Sequence, residues 1–145
     1  MKEQIVRNWM TPNPITISPS TTLPQAQQIM MEKNIRRLPV VWNKKVVGIL
    51  TLGDIREAKP SDANSLSVYE LNFLLDQLTA KAIMTADPIV VHPNSTIASA
   101  AKIMLDYKIG GLPVMEDGEL VGIITEMDFC RLIVSQNDTF PDTQG

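Results

Sequence analysis

The sequence predicts a mixed α+β protein made of two copies of one β-α-β-β-α unit, separated by a spacer that carries a helix of its own. Three observations predict it. Met10-Thr11 recurs 74 residues later as Met84-Thr85, and at the same offset positions 10–58 align with 84–132 without a gap. More than a third of the aligned pairs are identical, among them Pro14/Pro88, Pro19/Pro93, Leu38-Pro39-Val40/Leu112-Pro113-Val114, Val47-Gly48-Ile49/Val121-Gly122-Ile123, Thr51/Thr125 and Asp54/Asp128. Self-similarity at a fixed offset marks a repeated structural unit. Finally, a unit of about 50 residues buries too little surface to be comfortably stable alone, so the two sheets are expected to pack together with pseudo-two-fold symmetry. The resulting division is 1–58 for the first repeat, 59–79 for the linker, 80–134 for the second repeat and 135–145 for a polar tail.

Each copy opens with a short extended piece, Ile15-Thr16-Ile17 or Ile89-Val90-Val91, set between prolines that disfavour helix before them. A helix follows, opened by Thr22 or Thr96. In the first copy Leu23, Ala26, Ile29 and Met30 form one apolar stripe, with Gln25, Gln27 and Gln28 outside it. The second copy, Ile97 to Leu105, is apolar over a wider arc. Two strands come next, Leu38–Trp42 and Val46–Leu50 around Asn43-Lys44-Lys45, then Leu112–Met115 and Leu120–Ile124 around Glu116-Asp117-Gly118. Asp-Gly between β-branched flanks is a hairpin signal. Thr51 and Thr125 open the second helices.

The spacer begins as a loop, Lys59-Pro-Ser-Asp-Ala-Asn-Ser65. It then presents Ser67-Val-Tyr-Glu70, a capping box that would satisfy free N–H groups of a first helical turn. Val68, Leu71, Leu74, Leu75 and Leu78 predict an apolar face behind it. Residues 135–145 are polar and are expected to fray.

Composition narrows the function classes. The chain is 44% hydrophobic and 20% charged, with mean hydropathy of +0.02, which is ordinary for a globular domain. No apolar run approaches the roughly 20 residues of a membrane helix, and the N-terminus lacks a signal-peptide apolar region. Cys130 is the only cysteine, so an internal disulfide and a cysteine zinc cluster are excluded. The expected location is the cytoplasm. A net charge of −3 argues against nucleic acid, whose binders carry a basic footprint. The charge is uneven: residues 1–58 carry eight Lys/Arg against four Asp/Glu, and residues 59–145 five against twelve. Lys33, Arg36, Arg37, Lys44 and Lys45 form the basic cluster, which is either a solvated face or a site for a small anion.

The chemistry-bearing segments are Gly48-Ile-Leu-Thr51-Leu-Gly-Asp54 and Gly122-Ile-Ile-Thr125-Glu-Met-Asp128. Each ends a strand and opens a helix. Thr and Asp three residues apart on a first turn project the same way, and an ionised carboxylate accepts two hydrogen bonds, which suits the vicinal diol of a ribose. Thr-x-x-Asp is equally a helix cap, and a repeated fold would repeat its caps. Both readings stand on the residues alone. His92 lies in a Pro-Asn-Ser-Thr turn and has no second histidine for a two-histidine metal site. Cys130 lies among apolar helix residues and is expected to be buried. No phosphate loop or nucleophile elbow is present, and no nucleophile has an evident base partner, so no enzyme is expected.

The duplicated unit, with Met-Thr before a proline-flanked strand, an h-Pro-Val strand (h, hydrophobic) and Gly-h-h-Thr-x-x-Asp, resembles a tandem pair of CBS domains (a Bateman module) over residues 1–134. The spacer Ser65-Leu-Ser-Val-Tyr-Glu-Leu-Asn72 resembles the linker helix of small stand-alone prokaryotic members. The resemblance implies a sensor that binds AMP, ADP, ATP or S-adenosylmethionine, with no further cofactor. It implies that Asp54 and Asp128 hold ribose hydroxyls and that Thr51 and Thr125 contact ribose or α-phosphate. Ile17, Pro39 and Ile49, with Val91, Pro113 and Ile123, would flank the adenine, and Arg36 and Arg37 would meet phosphate. Gly53 and Met127 stand where many nucleotide-binding members carry Ser, Thr or Asn, and Gly110-Gly111 replace the arginines in the second copy. The competing expectation is a dimerisation or docking scaffold. A homodimer is expected because Ile97–Leu105 and Phe129–Val134 hold more apolar positions than one buried stripe requires. A regulated target protein is a further expected partner.

Overall fold

The structure, a computed structural model, describes residues 4–59 and 65–137. The described residues divide into two compact units, one of 14–59 and 65–89 with Gly118–Leu120, the other of 4–13, Val90–Asp117 and 121–137. These units cut across the repeat boundaries at 58 and 80, because each repeat's leading segment joins the other repeat's hairpin.

In the Pro14–Ile89 unit, α1 (Leu23–Lys33) is followed by β2 (Arg37–Trp42), β3 (Lys45–Thr51), α2 (Leu52–Ala58), α3 (Val68–Asp76), the single-turn α4 (Ala80–Ile83) and β4 (Thr85–Ala86). Its sheet runs β2-β3-β4, all antiparallel. In the other unit a 3-10 turn (Val6–Asn8) leads to β1 (Thr11–Pro12), and α5 (Ile97–Tyr107), β5 (Gly111–Glu116), β6 (Glu119–Thr125) and α6 (Glu126–Gln136) follow. Its sheet runs β1-β6-β5. The fold is therefore mixed α+β with two small sheets.

The short strands β1 and β4 each begin at the Thr of a Met-Thr pair, where the sequence predicts no strand. Thr85 pairs with Ile49 and Ala86 with Gly48, while Thr11 pairs with Ile123 and Pro12 with Gly122. Glycine is required at both crossings. A Cβ on Gly48 would sit 3.0 Å from the Thr85 carbonyl and run into the Met84 side chain, and one on Gly122 would meet the Thr11 carbonyl at 3.0 Å and the Met10 side chain.

The extended pieces are shorter than the sequence predicts. Only Ile17 and Val91 pair, each as a single parallel bridge, to Val40 and Val114. Ile17 donates its N–H to the Pro39 carbonyl (3.0 Å) and accepts from Val41 N–H (2.8 Å). The flanking prolines have no N–H to extend the ladder.

Thr22 caps α1 and Thr96 caps α5, accepting from the N–H groups of Gln25 and Ser99. Both hairpin loops are two residues with positive φ throughout, Asn43-Lys44 (51° and 65°) and Asp117-Gly118 (53° and 79°), the turn form that matches strand twist.

The core follows the repeat. Ile17/Val91, Ala26/Ala100, Met30/Met104, Leu38/Leu112, Val40/Val114 and Leu50/Ile124 are buried in both copies. The copies differ at Leu23 and Ile55, fully buried, against Ile97 and Phe129, which are half-buried. In the first copy α3 packs on α1, with Leu75 buried and Leu71 and Leu78 partly buried on the same core.

The spacer helix turns only part of the predicted face inward, Leu71, Leu75 and Leu78. Val68 is 72% and Leu74 40% exposed, as are Tyr69 and Phe73. Five apolar positions over one helix exceed the width of its contact with α1, so only the 71/75/78 line is covered. Ser67 caps it by accepting from Glu70 N–H (3.1 Å), and no reciprocal bond from Glu70 forms among the described residues. At the other end α6 continues through Gln136, two residues past the predicted boundary. The remaining tail from residue 138, and most of the predicted loop, residues 60–64, lie outside the described residues.

Candidate functional site

In the first copy the strand-to-helix corner β3–α2 brings the predicted site residues together. Thr51 donates its N–H to Asp54 Oδ2 (2.8 Å), and Asp54 donates its N–H to Thr51 Oγ1 (3.1 Å). This is a reciprocal cap, so the structural role of Thr-x-x-Asp is real. It uses one carboxylate oxygen. No side chain among the described residues holds Asp54 Oδ1, and Asp54 is half-buried.

Arg37 lies directly across from Thr51, and Pro39 across from Ile49. Residues two apart share a sheet face, so Arg37, Pro39, Ile49 and Thr51 belong to one side of the hairpin. Ile17 reaches the same strand through its bond to Pro39 O. Arg36 is exposed, and its carbonyl accepts from Leu52 N–H (2.8 Å), which fixes it beside the start of α2. Pro39 is fully buried, while Ile17 and Ile49 keep 6% and 9% of their surface. Any face offered to an adenine therefore comes from the isoleucines.

The second copy repeats the backbone of this corner and changes its electrostatics. Thr125 donates its N–H to Asp128 Oδ2 (2.8 Å), and Glu126 N–H bonds the Gly110 carbonyl (3.1 Å). Val91 bonds Pro113 O (3.0 Å), and Pro113 and Ile123 are buried. Asp128, however, is 1% exposed, and Arg131 Nη2 pairs with its Oδ1. Both carboxylate oxygens are engaged. The sequence carried the signal for Arg131, which stands three residues beyond Asp128 on the same helix face, where the first copy has Glu57.

The remaining polar groups serve the scaffold. Arg7 forms an ion pair with Glu116 at 2.8 Å, which ties the N-terminal segment to the second repeat, and His92 accepts Asn94 N–H at Nδ1 (3.0 Å) within its own turn. Cys130 is exposed rather than buried, because the buried line of α6 runs through Asp128 and Leu132. Among the described residues no cluster of three or more His, Cys, Asp or Glu could hold a metal, and no helix is long and apolar enough to cross a membrane. An open apolar hollow lies apart from the corner, lined by Leu66, Tyr69, Glu70, Phe73 and Leu74.

The duplicated corner, with crossed Met-Thr strands and a Thr-x-x-Asp cap after each Gly-h-h strand, is matched by one family. The CBS domain matches residues 6–61 and again 80–135. The chain is a tandem CBS-domain protein.

Among solved structures, this CBS pair is similar to the CBS domain pair of protein MJ0100 in complex with 5′-methylthioadenosine and S-adenosyl-L-methionine (TM-score 0.78, 30% identity, covering 94% of this chain and 100% of that one). It is also similar to CBSX2 in complex with AMP (TM-score 0.75, 28% identity, 92% and 98%). A CBS domain-containing protein of Dictyostelium discoideum is 31% identical over 139 residues, 94% of this chain and 96% of its own length. Inosine-5′-monophosphate dehydrogenase of Korarchaeum cryptofilum is 40% identical over 115 residues, 79% of this chain but only 21% of the enzyme. This chain spans 21%, 47% and 36% of three such curated relatives.

Proposed function

We propose that this CBS pair is a non-catalytic regulatory module that binds an adenosine-containing ligand, AMP, ADP, ATP or S-adenosylmethionine, at the β3–α2 corner. One observation carries the reading: Asp54 is held in place by Thr51 through one oxygen and keeps the other for a ribose diol, beside Ile17 and Ile49 for the base and Arg36 and Arg37 for phosphate. The corresponding residues Thr125, Asp128, Val91, Pro113 and Ile123 form a second, weaker site. Support comes from the AMP and S-adenosyl-L-methionine complexes of the similar CBSX2 and MJ0100 pairs. No further cofactor is needed, and with a net charge of −3 the partner is not nucleic acid. The expected setting is the cytoplasm, where the bound state would be read by a target protein.

The chain works as a homodimer in this reading. Leu105 (78% exposed), Met127 (62%), Ile133 (58%) and Val134 (61%) leave α5 and α6 with apolar surface that soluble proteins usually cover. Packing between second-copy helices would cover it in a two-fold manner.

Calorimetric titration of the full chain with AMP, ADP, ATP and S-adenosylmethionine tests the reading. Binding in the micromolar to submillimolar range is expected with at least one of them. Silence with all four would instead assign both corners to capping alone and leave the scaffold function.

A further inference from the structure

The two corners share a backbone and differ at one position of the helix that follows. In the second copy Arg131 stands three residues after Asp128 and pairs with Oδ1 while Thr125 N–H holds Oδ2. In the first copy the same position is Glu57, an exposed carboxylate that cannot donate, and Oδ1 of Asp54 is uncommitted among the described residues. The burial follows the pairing: Asp128 is 1% exposed and Asp54 half-buried. The arginines of the two copies are also displaced relative to one another. The first copy has Arg36-Arg37 at the start of β2 and the second has Gly110-Gly111 at the start of β5, so Arg131 is a basic group of the second corner and it is spent on the carboxylate.

We propose that Arg131 is a built-in occupant of the second ribose acceptor, a residue that makes the two sites unequal and sends the first ligand to Asp54. The inference rests on the proposed binding of an adenosine ligand and adds which acceptor is open. A ribose at Asp128 must displace a charge-assisted pair, the stronger class of hydrogen bond, from a carboxylate that is out of water. Arg131 itself can leave, because its side chain is 57% exposed and its guanidinium is readily resolvated. The second site is therefore latched rather than lost, and a ligand there would release a free arginine on the surface of α6.

The sign of the effect separates this role from simple electrostatics. An arginine that merely added positive potential near a nucleotide would strengthen binding of an anion. An arginine that competes with ribose for the carboxylate weakens it. The full chain is titrated by calorimetry with AMP and, separately, with S-adenosylmethionine, which shares the ribose but not the phosphate. In the Asp54→Ala background, which isolates the second site, Arg131→Gln is expected to tighten both ligands by about tenfold, the weight of one hydrogen bond to a charged group. The gain should vanish with 2′-deoxy-AMP, which lacks one of the two hydroxyls. The reciprocal variant, Glu57→Arg in the otherwise natural chain, installs the same latch at Asp54 and is expected to weaken AMP by a similar factor. Because Glu57 is exposed, that arm survives if Arg131→Gln folds poorly, which thermal melting reports.

An unchanged or reversed affinity in either arm overturns the proposal. When the natural chain binds and Arg131→Gln changes nothing, only the latch is lost. When the natural chain and both variants are silent with AMP and S-adenosylmethionine, the binding function falls with it.

Discussion

Replacing Gly48 by alanine probes the crossed segments that build each sheet. Glycine to alanine in a strand or helix ordinarily stabilises by about 0.5–1 kcal/mol, because the unfolded chain loses freedom. At Gly48 the added methyl would meet the Thr85 carbonyl at 3.0 Å and the thioether of Met84. The Met84 side chain must leave its present packing to make room, and the carbonyl belongs to the β4 ladder and cannot shift. Overpacking of this kind costs about 1–3 kcal/mol, so a net loss of about 1–2 kcal/mol is expected after the backbone gain is offset. For a chain of this size that is a fall of roughly 3–8 °C in melting temperature. Gly53 is the internal control. A Cβ there meets only Thr51 Oγ1 at 3.6 Å, an ordinary contact on an exposed helical position, so Gly53→Ala should raise stability by about 0.5–1 kcal/mol. Urea unfolding of both variants, followed by circular dichroism, reads the two signs side by side. Adding Met84→Ala to Gly48→Ala should recover part of the loss, a coupling measurable by a double-mutant cycle. A Gly48→Ala protein as stable as the natural chain, or additive with Met84→Ala, would refute the account of why glycine stands at the crossing.

Three further outcomes follow from the same geometry. Arg36→Ala should weaken ATP more than adenosine in parallel titrations, because its guanidinium acts on phosphate; equal losses would assign Arg36 to packing. Lys44 adopts φ of 65° where the second hairpin has Gly118, so Lys44→Gly should stabilise the first hairpin by up to about 1 kcal/mol in chemical denaturation. A loss of stability there would mean that the lysine side chain contributes more than its strained backbone costs. Sedimentation equilibrium should find a dimer at tens of micromolar, with Leu105→Glu shifting it to monomer; a stable 16.1 kDa species for the natural chain contradicts the two-fold packing of α5 and α6.

Much of this was legible in the residues, for a physical reason. Helix caps and hairpin turns are local devices, so Thr22, Thr96, Asn43-Lys44-Lys45 and Glu116-Asp117-Gly118 announce them without reference to the rest of the chain, although Lys45 and Glu116 are strand residues and each loop is one residue shorter than predicted. The offset between copies then carried the core, because Leu38 and Leu112, or Met30 and Met104, could be read as one position seen twice. What stayed hidden depends on distant pairing. Nothing near Met10 or Met84 says that each lies across the other copy's glycine, and the prolines around Ile17 and Val91 reduce a predicted strand to a single bridge. The inward face of α3 was likewise set by its neighbour: five apolar side chains compete for one contact with α1, and Val68 and Leu74 lose. At the candidate site the sequence placed Thr51 with Asp54 and Thr125 with Asp128. It ranked Arg36 above Arg37, although the strand register sets Arg37 opposite Thr51. The pairing of Arg131 is readable from helical spacing, since side chains three apart share a helix face.

The central claim, that Asp54 is a ribose acceptor as well as a cap, is tested most directly by titrating AMP into Asp54→Ala and Asp128→Ala in the full chain. Removing the open acceptor should cost about 1.5–3 kcal/mol, the range for hydrogen bonds to charged groups, or roughly 10- to 150-fold in affinity. Asp54→Ala should carry nearly all of that loss and Asp128→Ala little, since only the first carboxylate has an oxygen to give. Affinity unchanged in both variants would contradict the account, leaving two aspartates that do nothing but close their own helices.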